Sequence, residues 1–356
     1  MISKALPERY EITGESASGG FGSVIKYNDL HLERFVAVKT ITDPIDAHRM
    51  NDELNALMKL RSKHVVELYD AIRFDDGGIA IIEEFIDGPS LSDIQIDNMI
   101  NNSDELFKIL WQIASGISEI HSHDIIHRDI KPANMKIDKE GIVKIFDFGL
   151  SRSVDNASTV GFVGTRIYAA PELFLTRPVF DKSIDTYAFA VTAMYLTRTP
   201  VPEGFNIPPK MLYSNPFDKA SIQLPVHLKE LLYQCLSQVP SERPKMAEIS
   251  EYLKRLILKN THRALLISQL KPPVILCDTH KIESFNNPNV GSIEIKYSGM
   301  EFYISSLSGE VNVNNITAKK GNILPNSCVI ILGPKGKSSI KREFITFDLS
   351  SPEVVL

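Results

Sequence analysis

The chain has 356 residues, more than one core of ordinary size needs, so two or three folding units are expected. Its net charge of −5 is unevenly divided: residues 262 to 356 hold ten Lys/Arg and eight Asp/Glu, leaving 29 and 36 in the first part, and that acidic excess argues against nonspecific nucleic-acid binding there. No apolar run reaches the ~18 residues of a membrane span, the N-terminus lacks a charged-then-apolar signal pattern, and Cys235, Cys277 and Cys328 have no paired spacing for zinc or a disulfide framework. The expectation is a cytoplasmic protein with no membrane span, whose cysteines are buried and inert.

In chain order, residues 9 to 27 and 31 to 41 read as strands around a Gly-rich turn, Ala17-Ser18-Gly19-Gly20-Phe21-Gly22-Ser23-Val24. Gly clusters by themselves usually mark only turns. Phe35-Val36-Ala37-Val38-Lys39 is an apolar strand ending in a lysine, and a lone lysine there is more often a solvated strand end. Met50, Leu54, Leu57, Met58 and Leu60 make a helical stripe in residues 46 to 60, with Glu53 beside it, which alone reads as a surface charge. Residues 64 to 74 and 79 to 85 read as two further strands joined across Asp75-Asp76-Gly77-Gly78, a strong hairpin turn.

Ser103 is an N-cap for a helix whose apolar stripe is Leu106, Ile109, Leu110, Ile113, Ile117 and Ile120; His121 and His123 read as exposed residues at its end. The stretch that follows, His127-Arg128-Asp129-Ile130-Lys131-Pro132-Ala133-Asn134, could be a charged, Pro-broken loop. Yet it gathers a carboxylate, an ammonium and an amide, and Asp147-Phe148-Gly149 follows thirteen residues on, after a small hairpin of residues 135 to 137 and 142 to 145. Phosphoryl transfer to a hydroxyl needs that set: a carboxylate to take the hydroxyl proton, a cation by the transferred group, and oxygen ligands for Mg²⁺. At these residues the chain resembles the eukaryotic-type protein kinases, and Lys131-Pro132 is the serine/threonine form of their catalytic loop.

The resemblance covers roughly residues 8 to 258 and implies an α+β, bilobal protein-kinase fold, with a β-rich N-lobe and a helical C-lobe. It also implies roles: Asp129, Lys131, Lys39 and Glu53 for catalysis; Asn134 and Asp147 for Mg²⁺, or Mn²⁺ in its place; and ATP contacts from Ala17, Gly19, Gly20, Phe21, Gly22, Val24, Ala37, Lys39, Glu84 and Ile86. Ala17 stands where the family has its first glycine. Lys39, paired with Glu53, would hold the α- and β-phosphates, and the backbone of Glu84 to Asp87 would bond the adenine. Glu83 would guard the back of the pocket, where the family usually has an apolar residue; an acid there needs a polar partner or water. Lys136 replaces an apolar floor under the adenine, a role its methylene stem can fill.

From Asp147 to Ala170-Pro171-Glu172 the spacing matches a short activation segment that includes Ser151, Ser153, Ser158, Thr159 and Gly164-Thr165. The resemblance pairs Glu172 with Arg243 and has Asp185, at the start of a run from Ile184 to Leu196 that is apolar nearly all round, tie down the catalytic loop. Tyr187-Ala188-Phe189-Ala190 there replaces the usual Trp-Ser-x-Gly.

Residues 246 to 259 read as a last amphipathic helix, and Lys271-Pro272-Pro273 marks a change of character. Beyond it come strand-like runs at residues 274 to 277, 293 to 297, 301 to 304, 328 to 332 and 344 to 349, an all-β unit of sandwich type. The order Gly299, Phe302-Tyr303-Ile304, Val313-Asn314-Asn315, Leu332-Gly333, Phe347-Asp348 faintly resembles forkhead-associated domains. Their Gly-Arg turn and Ser-x-x-His are absent before Ile293, so no binding residues carry over. The expected organisation is a kinase domain at 8–261, a linker at 262–271 and an all-β domain at 272–356, a degenerate module for docking or regulation or else a packing appendage.

The expected activity is transfer of the γ-phosphate of Mg-ATP to Ser/Thr hydroxyls of proteins, with self-association for autophosphorylation in trans and a docking partner for the tail. The alternatives are an ATP-binding pseudokinase scaffold and a small-molecule phosphotransferase of the same fold.

Overall fold

A computed structural model of the chain describes residues 6–19, 22–40, 47–75, 78–93, 103–153, 166–176, 178, 180–202, 205, 208–334 and 342–350. The chain divides into two compact units, Met1–Leu253 and Lys254–Val355.

In the first unit, β1 (Tyr10–Gly19), β2 (Gly22–Asp29), β3 (Arg34–Thr40), β4 (Leu68–Arg73) and β5 (Ile79–Glu84) form an antiparallel sheet in the order β1-β2-β3-β5-β4. Successive side chains of a strand point to opposite faces. Val36 and Val38 of β3 therefore pack with Tyr10, Ala80 and Ile82 in a small core on one face. Ala37 and Lys39 turn to the other, where their cross-strand partners are Glu83 and Ile81. Between β3 and β4 the chain forms α1 (Ala47–Lys59), whose Met50, Ala56 and Leu57 are buried.

The helical part consists of α2 (Ser103–Ser122), α3 (Ser183–Leu196), α4 (Val226–Cys235) and α5 (Met246–Ile257). The whole expected stripe of α2 is buried. α3 is buried on nearly every side, as a helix apolar all round must be. Short pairs lie between α2 and α3 in sequence: β6 (Ile125–Ile126) with β9 (Arg152–Ser153), and β7 (Met135–Ile137) with β8 (Val143–Ile145). After β5 the chain passes close to the β7 backbone. A Cβ on Gly88 would stand 1.8 Å from the Ile137 carbonyl oxygen, so only glycine fits.

The second unit holds β10 (Arg263–Ser268), β11 (Val274–Leu276), β12 (Ile282–Asn287), β13 (Gly291–Tyr297), β14 (Phe302–Gly309), β15 (Val311–Val313), β16 (Ile316–Thr317), β17 (Ser327–Leu332) and β18 (Glu343–Ser350). They form a six-stranded sheet, β11-β10-β18-β17-β15-β16, and a three-stranded one, β12-β13-β14. One apolar core takes Leu266, Ile330 and Phe347 from the first and Phe285, Ile295 and Phe302 from the second. Phe302 stacks on Tyr297 at 4.4 Å and meets Phe347 edge-on at 5.5 Å. The stretch expected to be a linker is instead largely a strand. β10 pairs with β18 over six residues, buries Ala264 and Leu266, and exposes Arg263, Leu265 and Ile267. The β unit thus begins before Lys271. Cys235 and Cys328 are buried as expected, whereas Cys277 is partly exposed.

Candidate active site

The chemistry gathers around Lys39. Its Nζ donates to Oε1 and Oε2 of Glu53 at 2.8 and 2.7 Å and to Oδ1 of Asp147 at 3.0 Å. Residues from β3, α1 and the turn after β8 are thereby joined. Burial alone would depress the Lys39 pKa, but the two carboxylates outweigh it, and the net shift is upward, so the ammonium persists. At Asp147 burial opposes ionisation too, but the Lys39 charge prevails and holds its pKa below the usual carboxylate range. The backbone pays for this placement: Asp147 sits at φ 67, a left-handed conformation unfavourable outside glycine. Gly149 lies against this cluster: a Cβ there would be in ordinary contact with Asp147 Oδ1 at 3.4 Å and Lys39 Nζ at 3.9 Å.

The loop between β6 and β7 carries the second cluster. Oδ2 of Asp129 accepts from Lys131 Nζ at 2.7 Å and from Asn134 Nδ2 at 2.9 Å, and Asn134 Nδ2 also reaches the Asp129 carbonyl at 2.9 Å. Two side chains of the octet, Lys131 and Asn134, thus converge on the carboxylate of a third. Asp185, at the start of α3, fixes the loop from beneath. It accepts the backbone N–H groups of His127 and Arg128 at 2.8 Å each and Nε2 of His121 at 3.0 Å. Those bonds outweigh burial, and its pKa lies below the ordinary value. Arg128 itself is left-handed, at φ 72. His127 is fully buried against Phe148, ring centroids 4.7 Å apart, and burial lowers its pKa so that it stays neutral.

His121 departs from the sequence reading. It is a buried partner of Asp185, not an exposed helix end. The signal that could have found it is its helical phase: it follows Ile117 by four residues on the buried face. The expected Glu172–Arg243 pair is present and bidentate, at 2.6 and 2.7 Å.

Several residues expected to contact the nucleotide lie on the same sheet as Lys39. Ala37 shares its face of β3, and Val24 lies opposite Lys39 across the β2–β3 pairing. Ala17 pairs with Val24 and Gly19 with Gly22 in the β1–β2 hairpin, while Gly20 and Phe21 at its tip lie outside the described residues. Glu84 ends β5, its side chain bonded to Lys144 at 2.9 Å, and Ile86 follows, buried. Lys136 is half-buried between buried Met135 and Ile137. Ser158, Thr159, Gly164 and Thr165 lie outside the described residues.

The donor chemistry fits a magnesium nucleotide. Asp147 is an ionised carboxylate, and Asn134, with its amide nitrogen turned to Asp129, keeps a carbonyl oxygen for a cation. Mg²⁺ takes such hard oxygens one or two at a time, and phosphates supply others. The Lys39 ammonium adds a counter-charge for those phosphates.

A family profile described as protein kinase domain matches residues 10–253. Among curated proteins, cyclin-dependent kinase-like 2 of Pongo abelii is 33% identical over 197 residues, covering 53% of this chain and 40% of that protein. A probable serine/threonine-protein kinase of Clostridium acetobutylicum is 27% identical over 305 residues, 81% of this chain and 45% of the relative. The serine/threonine-protein kinase fray1 of Dictyostelium discoideum is 26% identical over 370 aligned positions, 98% of this chain and 61% of its own length. The chain therefore spans less than two thirds of each of these relatives.

Proposed function

The chain belongs to the protein kinase family, and from that premise we propose that it transfers the γ-phosphoryl group of ATP to Ser or Thr hydroxyls of protein substrates. The observation that carries this reading is the convergence of Lys131 and Asn134 on Asp129 beside the Lys39–Glu53–Asp147 node. Asp129 orients the acceptor hydroxyl and takes its proton, and Lys131 supplies the nearby cation. Glu53 holds Lys39, which would meet the nucleotide phosphates, and Asp147 with Asn134 would hold the divalent ion. That ion, when bound, neutralises charge on the phosphates. Two relatives named as serine/threonine kinases and the Lys131-Pro132 dipeptide support a protein hydroxyl as acceptor. Incubation of the purified chain with Mg-ATP and a mixture of protein substrates should yield phosphoserine or phosphothreonine by mass spectrometry. No phosphate on any protein, with nucleotide binding intact, would rule out catalysis.

The same reading gives the activation segment a regulatory role. Arg128, whose guanidinium lies 4.1 Å over the Phe180 ring, adjoins Asp129. A phosphoryl group adds about −1.5 to −2 charges and can order a loop through arginine. Autophosphorylation is expected at Ser158 or Thr159, six and five residues before Gly164, followed by higher activity on an exogenous substrate. A Ser158→Ala/Thr159→Ala variant that matches wild type after preincubation with Mg-ATP, with no phosphate on residues 151 to 165, would place control elsewhere.

The β unit then has a docking or regulatory role. A chain ending at Lys259 is expected to remain folded and bind nucleotide, since a unit with its own core needs few contacts beyond it. Insolubility of that shortened chain, with the full chain soluble, would make the tail part of the kinase core.

A further inference from the structure

We propose that Glu83 selects the base of the bound nucleotide: its carboxyl oxygen accepts a hydrogen bond from an exocyclic amino group, favouring aminopurine nucleotides over purines that lack one. This rests on the nucleotide-site reading above, and four observations carry it. Glu83 lies directly across from Ala37 in the β3–β5 pairing and so shares the sheet face of Lys39, opposite the Val36, Val38, Ala80 and Ile82 core. It is 7% exposed, and its Oε2 has no hydrogen-bond partner among the described residues. A buried acceptor left unpaired is destabilising and rare, so such a group stands out.

The nearest cation offers no way out. An ammonium has three N–H donors, and Lys39 uses all three on Glu53 Oε1, Glu53 Oε2 and Asp147 Oδ1. Satisfying Glu83 from Lys39 would break that node, so no described residue supplies the donor, and a bound ligand can. Finally, Glu83 immediately precedes Glu84, where β5 ends and the segment expected to hold the base begins. An exocyclic amine carries two N–H groups. The backbone takes one, and the second is left to point along the sheet face toward Glu83.

Protonation does not undo the scheme. Burial, reinforced by Glu53 on α1 and Asp147 after β8 and opposed by Lys39, pushes the Glu83 pKa up to about 8. Below that value the carbonyl oxygen of the neutral acid is still an acceptor; above it the carboxylate accepts more strongly.

The test is equilibrium binding to the full chain with Mg²⁺, comparing ATP with purine riboside triphosphate, which has hydrogen in place of the 6-amino group. Wild type should prefer ATP, and Glu83→Met should shrink that preference roughly three- to tenfold, the size of one neutral hydrogen bond. Glu83→Gln keeps an acceptor oxygen and should retain the preference; Glu83→Leu replaces Met if the Met variant does not fold. An ATP preference equal in wild type and in the apolar variant overturns the proposal while leaving the nucleotide site standing. Failure of wild type to bind either nucleotide overturns the site reading, and this proposal with it.

Discussion

Asp129→Asn is expected to slow phosphoryl transfer roughly 10²- to 10⁴-fold, the worth of a positioned proton acceptor, while leaving nucleotide affinity near wild type. The geometry shows why so conservative a change should cost so much. Oδ2 of Asp129 receives Lys131 Nζ and Asn134 Nδ2, both of them donors. An asparagine can keep those two bonds only by turning its carbonyl oxygen to them, which aims its NH₂ at the acceptor hydroxyl. A group that donates there cannot take a proton. Asp147→Asn should fail differently: it removes charge from the oxygen beside Lys39 Nζ, at 3.0 Å, and from the proposed metal site. Nucleotide affinity in Mg²⁺ should then fall together with the rate. Separate measurement of kcat and of the nucleotide Kd for both variants makes the distinction. A near-normal kcat in Asp129→Asn would remove Asp129 as proton acceptor.

Much of this site was legible because its residues lie close in sequence and their chemistry is rare in combination: Asp129, Lys131 and Asn134 span six positions. The Lys39–Glu53 bond was legible through resemblance, since nothing in the helical stripe of α1 distinguishes Glu53 from a surface charge. What escaped the sequence was decided by distant partners. His121 is buried because Asp185, 64 positions later, needs a donor there. Arg263 to Ser268 reads as an apolar run between a helix and a Pro-Pro pair, and its identity as a strand comes from β18, some 80 residues away. β12, β15 and β16 escaped for a related reason. Short or polar strands such as Ile316–Thr317 show no alternation of their own and exist as completions of a neighbour's ladder. The third bond of Lys39, donated to Asp147, was likewise a matter of geometry alone.

Arg243→Ala should destabilise the first unit by about 3–5 kcal/mol, the usual cost of stripping one partner from a buried ion pair. Arg243 is 6% and Glu172 7% exposed, and the guanidinium makes two short parallel bonds to the carboxylate. Two further N–H groups reach the carbonyls of Ser183 and Ser237, and its face lies 5.1 Å over the Tyr187 ring. Alanine would leave the Glu172 carboxylate buried without its cation and would remove the bonds that the Ser183 and Ser237 carbonyls accept from the guanidinium. Lysine, a point charge without the planar fork, should recover only part of the loss. The pair is nonetheless expected to contribute little over an apolar replacement, because both charges must be desolvated to form it. A Glu172→Leu/Arg243→Met double variant should therefore recover most of the stability lost in Arg243→Ala. Urea unfolding of the four proteins, followed by fluorescence of the single tryptophan, Trp111 on α2, measures each term. Equal midpoints for Arg243→Ala and wild type would mean that the pair, for all its geometry, braces nothing. A double variant as unstable as Arg243→Ala would instead mean that the bonds from Arg243 to Ser183 and Ser237, and not the carboxylate, hold this part of the fold.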